Sequence, residues 1–316
     1  MKPVGLRIGF MGTPEFAAVH LSKLLDAACK VIVVVTQPDR RKGRGGKVQE
    51  SPVKQLALER GLKVLQPGRV GDPEVVSQLT SFAPDVMVVV AYGQLLPRSV
   101  LDVPRLGTIN VHGSLLPAYR GAAPVNWALI HGENVTGVTT MMLDEGLDTG
   151  DILLQAEMSI EPEDTAGTLV DRLAHVGADL LLDTLSKLED NTLPRVPQDH
   201  SKATYAPKLT KGDGLIKWNG SAVSIVNGVR GLDPWPGAYT FLGDKRLRLF
   251  GASQGTGSRT GPPGTVLGLT ESSLEVAAGE GSVEVREMQM EGRKRLPAVE
   301  FLKGVPLPPG AVLGER

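Results

Sequence analysis

Val31-Ile32-Val33-Val34-Val35 is a run of five β-branched apolar residues with no polar residue between them. A strand with one wet face alternates apolar and polar residues. An unbroken run suits a strand buried on both faces, as in a parallel sheet covered by helices. Working outward, further apolar runs lie at 6–10, 86–92, 107–111, 137–143 and 152–160, and the first run extends to 36. Helix-like segments lie between them at 14–26, 52–60, 73–82, 125–131 and 168–188. Pro14, Pro52 and Pro73 each follow Thr, Ser or Asp, which is a helix-start signature. The alternation predicts a Rossmann-like α/β fold, a mostly parallel sheet with helices on both faces. In such sheets ligands bind beyond the carboxyl ends of the strands.

Gly107-Thr108-Ile109-Asn110-Val111-His112-Gly113-Ser114-Leu115-Leu116-Pro117 begins as one of these strands and ends in a turn. Alternate residues share a face, so Asn110 and His112 project together near the carboxyl end. An amide donor beside an imidazole can hold and protonate an oxygen that turns negative during carbonyl chemistry. The strand predicted at 137–143 runs into Asp144-Glu145-Gly146-Leu147-Asp148-Thr149-Gly150-Asp151, whose carboxylates could orient the imidazole. The alternatives are a structural histidine and an acidic turn held by its own Asx-type hydrogen bonds.

The 316 residues suffice for two domains, and 41% hydrophobic content supports a sizeable core. Net charge is −1, which gives no general reason for a polyanionic partner. Residues 208–316 carry 14 Lys and Arg against 11 Asp and Glu, whereas 1–207 carry 20 against 24. The C-terminal part is therefore the better candidate for nucleic acid. With Cys29 alone no internal disulfide can form, which fits a reducing compartment, and its position predicts a packed thiol. The apolar stretch within 1–12 is too short for a secretory signal, and no run reaches the roughly 20 residues that span a bilayer. We expect a cytoplasmic protein with no membrane partner.

Residues 191–214 are rich in Pro, Gly and polar side chains and read as containing a linker. Beyond it the helical pattern fades, and short alternating segments at 238–242, 245–250, 264–269, 274–278 and 283–288 predict a small antiparallel, OB-like β-barrel. The expected division is a catalytic domain at 1–190, a linker at 191–210 and a barrel at 211–316. Asp233-Pro234-Trp235-Pro236-Gly237 is expected to be a turn with a buried Trp.

The scattered histidines and single cysteine offer no metal-ligand spacing. The first strand-to-helix turn lacks Gly-x-Gly-x-x-Gly, which weakens a dinucleotide reading. Asp148-Thr149-Gly150 occurs once, too few for a two-lobed aspartic protease. Residues 39–47 carry five positive charges, on Arg40, Arg41, Lys42, Arg44 and Lys47, among three glycines. They could clamp a polymer's phosphates or form a solvated surface loop.

Together, Gly12-Thr13-Pro14-Glu15-Phe16, Thr36-Gln37-Pro38-Asp39-Arg40, Ser51-Pro52-Val53-Lys54, Ala91-Tyr92-Gly93, Asn110 to Pro117, Arg120-Gly121-Ala122-Ala123-Pro124 and Leu147 to Asp151 resemble the methionyl-tRNA formyltransferase family. The Asn/His/Asp set alone marks the wider group that uses 10-formyltetrahydrofolate. The resemblance implies formyl transfer from that donor to the amino group of methionyl-initiator-tRNA, for translation initiation, without a metal or an obligatory protein partner. It implies that Asn110, His112 and Asp148 are catalytic. It implies folate contacts at Tyr92, Gly93, Leu95, Ser114, Leu115, Leu116, Pro117, Asp144 and Gly146. For tRNA it points to Arg40, Arg41, Lys42, Arg44 and Lys47, and, in the barrel, to Arg246 and Arg248. Two rivals remain: a small amine or water as acceptor, and a non-catalytic tRNA- or nucleotide-binding module.

Overall fold

The computed structural model describes residues 4–42, 47–257 and 260–314; the side chains of Arg41, Lys42 and Lys47 also lie outside the described set. The chain packs as two compact units. One comprises Met1–Gly121, Thr136–Met158 and Val170–Tyr205; the other comprises Ala122–Val135, Ser159–Leu169 and Ala206–Arg316.

The first unit is built on β1 (Ile8–Gly12), α1 (Glu15–Asp26), β2 (Val31–Val35), α2 (Pro52–Glu59), β3 (Val64–Leu65), α3 (Pro73–Ser81), β4 (Val86–Val90), α4 (Arg98–Leu101) and β5 (Thr108–His112). After α5 (Pro124–Ile130), which packs in the second unit, come β6 (Val135–Met142), β7 (Ile152–Ser159) and the long α6 (Ala166–Glu189). The sheet order is β7-β6-β5-β4-β1-β2-β3. Pairs from β3 to β5 are parallel, and β6 runs antiparallel to β5.

The runs without alternation are strands buried on both faces, as their composition requires. Val86 to Val90 of β4 are all buried. Met87 and Val89 join Met11, Val35 and Leu79 in a cluster under α3. Val86, Val88 and Val90 point the other way. Among the three proline-marked starts, Ser51 caps α2 through its side chain, accepting from Lys54 N at 3.1 Å. Asp72 precedes α3 without a side-chain cap bond, and Pro14 itself occupies the cap of α1. Cys29 is buried, and burial raises its thiol pKa.

The chain leaves β1 towards β2 and β3, then returns to β4 on β1's other side. That reversal is a switch point, where parallel sheets open a crevice at their carboxyl ends. Thr13 Oγ1 donates across it to Tyr92 O at 2.9 Å.

The second unit contains α7 (Ala222–Leu232), β8 (Tyr239–Leu242), β9 (Lys245–Gln254), β10 (Val266–Leu269), β11 (Leu274–Ala277), β12 (Ser282–Met290) and α8 (Ala298–Gly304). Its antiparallel sheet has the order β8-β9-β12-β11-β10. The C-terminal stretch closes it. Val266 N donates to Ala311 O and Leu313 N to Gly264 O, both at 2.8 Å, and Phe241 N donates to Gly314 O at 2.9 Å. One short segment thus pairs with both edge strands, β10 and β8, and makes a small barrel.

Two expectations need correction. Helices α7 and α8 stand in the region where the helical pattern fades and only strands are expected. Ser221 caps α7, and Ala222, Ile225, Val226, Val229 and Leu232 form its buried stripe. Trp235 is 51% exposed rather than buried. The buried tryptophan of this unit is Trp218, whose Nε1 donates to Thr240 Oγ1 at 3.1 Å.

Candidate active site

The site grows from the end of β5. In register, Asn110 stands between Val89 and Met141, and His112 faces Thr139. His112 is buried, and Asn110 is half-buried. Among the described residues the Asn110 amide has no hydrogen-bond partner, so its donors are open to a ligand.

His112 Nε2 lies 2.9 Å from the carbonyl oxygen of Tyr119. A carbonyl can only accept, so Nε2 carries a hydrogen and donates it. The other nitrogen, Nδ1, is the one left for chemistry. It stands 3.7 Å from Asp148 Oδ2, close enough to feel the carboxylate and too far for a hydrogen bond. Asp148 Oδ2 accepts from Gly121 N at 2.8 Å. Tyr119 and Asp148, the two residues beside His112, both hold left-handed backbones, with φ of 60° and 53°. Such conformations cost on the order of 1–3 kcal/mol in a non-glycine residue and persist where surrounding bonds over-determine them.

The turn after His112 is fixed from behind. Thr139 Oγ1 donates to Ser114 O at 2.7 Å and accepts from Leu116 N at 3.1 Å and Gln155 Nε2 at 3.0 Å. Ser114 Oγ donates to Ala118 O at 2.7 Å. The arrangement presents one uncommitted imidazole nitrogen, one free amide and one carboxylate near the end of a parallel strand. It can hold a carbonyl oxygen as charge builds on it and can carry a proton away from an attacking nucleophile.

Comparison with known proteins gives the family. Residues 6–185 match the Formyl transferase family, and 208–306 match its C-terminal domain. Methionyl-tRNA formyltransferase of Geobacter sulfurreducens is 52% identical over 311 residues, covering 98% of each chain. That of Syntrophus aciditrophicus is 52% identical over 309 residues, covering 98% of this chain and 99% of its own. The chain belongs to the methionyl-tRNA formyltransferase family. It is a formyl-transferring enzyme.

The fold of this family member also resembles that of HypX from Aquifex aeolicus, solved in complex with tetrahydrofolic acid. The TM-score is 0.64 at 19% identity, covering 98% of this chain and 51% of that one. The likeness is one of fold.

The other residues that the sequence pointed to fall as follows. Tyr92 is 2% exposed, its hydroxyl is buried without a partner among the described residues, and burial pushes its pKa up to about 12. Gly93, the next residue, is exposed. Leu95 is 85% exposed on the same loop. Ser114 and Leu116 are buried in the turn, whereas Leu115 and Pro117 are half-buried. Asp144 Oδ1 accepts from Gly146 N at 3.0 Å and Thr149 Oγ1 at 2.7 Å, so this carboxylate shapes its own loop. Asp144, Gly146 and Leu147 are exposed.

Arg40 is exposed and opens a short antiparallel pair, Arg40–Lys42 with Lys47–Gln49. Arg44, within 43–46, lies outside the described residues. On β9, Leu247 and Leu249 are buried while Arg246 and Arg248 are half-buried, as alternation requires. Arg246 Cζ lies 5.2 Å from the centre of the Tyr239 ring. Among the described residues no group of three or more His, Cys, Asp or Glu could hold a metal ion, and no helix is long and apolar enough to cross a membrane.

Sequence reasoning missed Thr139, the Tyr119 carbonyl and the Gly121 N–H. Thr139 carried no signal either, because it meets His112 only through the register between β5 and β6. The two backbone groups likewise carried none.

Proposed function

We propose that this enzyme moves the formyl group of 10-formyltetrahydrofolate to the amino group of methionyl-initiator-tRNA, in the cytoplasm. The carrying observation is His112, with Nε2 spent on Tyr119 and Nδ1 left facing Asp148. The amine nitrogen attacks the formyl carbon and the carbonyl electron pair moves onto oxygen. Asn110 donates to that oxyanion, and His112 does so from Nδ1 when the ring carries a second proton besides the one on Nε2. Loss of one such donor raises a barrier by roughly 3 kcal/mol, about a hundredfold in rate. Asp148, its carboxylate 3.7 Å from Nδ1, receives, directly or through water, the proton released by the amine. The intermediate then collapses, the bond to the folate N10 breaks, and the proton taken up by Asp148 passes to that nitrogen as it leaves.

The exposed Leu95 and the turn from Ser114 to Pro117 support a folate seat near Gly93, Asp144 and Gly146. The basic segment from Arg40 to Lys47 and the surplus positive charge of residues 208–316, with Arg246 and Arg248, support contact with tRNA phosphates. On this reading 1–190 is the catalytic domain, 191–210 a linker and 211–316 the tRNA-binding barrel.

The test incubates purified protein with 10-formyltetrahydrofolate and methionyl-tRNA and scores formylmethionine after deacylation. Formylmethionine supports the reading. Formate release without tRNA modification would replace it with the hydrolytic rival, and donor binding without turnover would replace it with the binding module.

A further inference from the structure

Gln198 lies between the two family segments, in a stretch that reads from sequence as a linker. It is 6% exposed. Its Nε2 donates to Asp148 O at 2.9 Å and to Gly150 O at 2.7 Å. Its Oε1 accepts from Arg120 Nε at 3.1 Å and Nη2 at 2.6 Å. The amide thus uses both hydrogens and both lone pairs. Its orientation is fixed by chemistry, since carbonyls only accept and a guanidinium only donates.

Arg120 is 2% exposed, and its Nη2 also lies 3.2 Å from His200 Nδ1. A buried guanidinium is costly unless its hydrogens are taken up. Here its fork is closed on a neutral amide whose far end grips the backbone of residues 148 and 150. The next residue, Gly121, grips the Asp148 carboxylate from its backbone N–H at 2.8 Å. Segments 120–121, 148–150 and 198 therefore close on one residue from two sides, at its carbonyl and at its carboxylate. That residue holds φ of 53°, a conformation its own backbone does not favour.

We propose that Arg120 and Gln198 are positioning residues for formyl transfer: they hold Asp148 in the left-handed conformation that sets its carboxylate opposite His112 Nδ1. The inference rests on the catalytic assignment of Asp148 above. It makes the apparent linker part of the active-site scaffold. Release of Gln198 lets the loop relax and moves the carboxylate away from His112, with no loss of any group that touches either substrate.

The test compares the full-length wild type with Gln198→Ala, Gln198→Glu, Asp148→Asn and the double variant Asp148→Asn/Gln198→Ala. It measures kcat, KM for each substrate and the thermal midpoint. In Gln198→Glu the carboxylate still accepts from Arg120 but has no hydrogen to give the carbonyls of 148 and 150, and because kcat is read well below each variant's own thermal midpoint, a fallen rate reports the site and not unfolding. We expect kcat of Gln198→Glu and Gln198→Ala to fall roughly ten- to hundredfold, the scale of a misplaced catalytic group. KM for methionyl-tRNA should stay within about twofold, because the substrate-binding groups are intact. The double variant should be little slower than Asp148→Asn, because both changes act on one group.

Wild-type kcat in Gln198→Glu alongside an impaired Asp148→Asn overturns the positioning role and leaves the proposed function standing. Losses that multiply in the double variant overturn it too. Wild-type kcat in Asp148→Asn overturns both.

Discussion

His112 donates from Nε2 to a backbone carbonyl and faces Asp148 with Nδ1, so both the ring's orientation and its reactive nitrogen are set by named partners. Asp148→Asn keeps the shape and removes the charge opposite Nδ1. We expect a strongly reduced kcat and a pH profile of different form, because the groups that define it are no longer the same. A profile scaled down but otherwise unchanged would remove Asp148 from that role. A second histidine tests burial alone. His20 is fully buried, Nδ1 donates to Phe16 O at 2.7 Å, Nε2 has no partner among the described residues, and burial lowers its pKa from 6.5 to about 4. Above pH 6.5 the ring is neutral in both states. Between 6.5 and about 4 only the unfolded chain takes up its proton, so stability falls as pH drops through that window and levels off below it. The full effect is on the order of 3 kcal/mol. Urea titrations across that range should show the stability gap between wild type and His20→Leu shifting by this amount against the wild type. A gap independent of pH would contradict the buried neutral ring.

Among elements, β9 shows how patterning builds the barrel. Leu247 and Leu249 point inward at 0% and 1% exposure, while the arginines beside them do not. Leu247→Ala should cost about 2–5 kcal/mol in chemical unfolding, as for other fully buried leucines. A loss under about 1 kcal/mol would mean that the site collapses around the gap. The same alternation made the barrel strands legible, and unbroken valine runs made the parallel strands legible. Helix α7 was missed because Gly228 and Gly231 weaken its propensity, and its apolar stripe resembles the β-branched strands that follow. Asn110 and His112 could be read because they are two residues apart on one strand. Gln198 could not, because its partners Arg120 and Asp148 are 78 and 50 residues away in the chain. Such a link exists only once the fold brings three segments together.

At the scale of the molecule, packing does not divide at a single cut. Helix α5 belongs with the C-terminal unit, where Trp127 and Ile130 pack on the barrel's core cluster. A chain stopped near 210 would uncover them, so the role of the second unit is better tested by charge than by truncation. Binding of tRNA should weaken linearly in log affinity with log salt, and Arg248→Gln should lower that slope by about one phosphate's worth, roughly 0.7–0.9. An unchanged slope would make Arg248 an ordinary solvated charge. Chemistry and tRNA holding are then separable. The most direct test of the account is the single-turnover rate of formyl transfer at saturating 10-formyltetrahydrofolate and methionyl-tRNA, for wild type, Asn110→Ala and His112→Ala. The account predicts a fall of about a hundredfold or more in each variant, with half-saturation by tRNA unchanged. A saturated rate near wild type in either would contradict it.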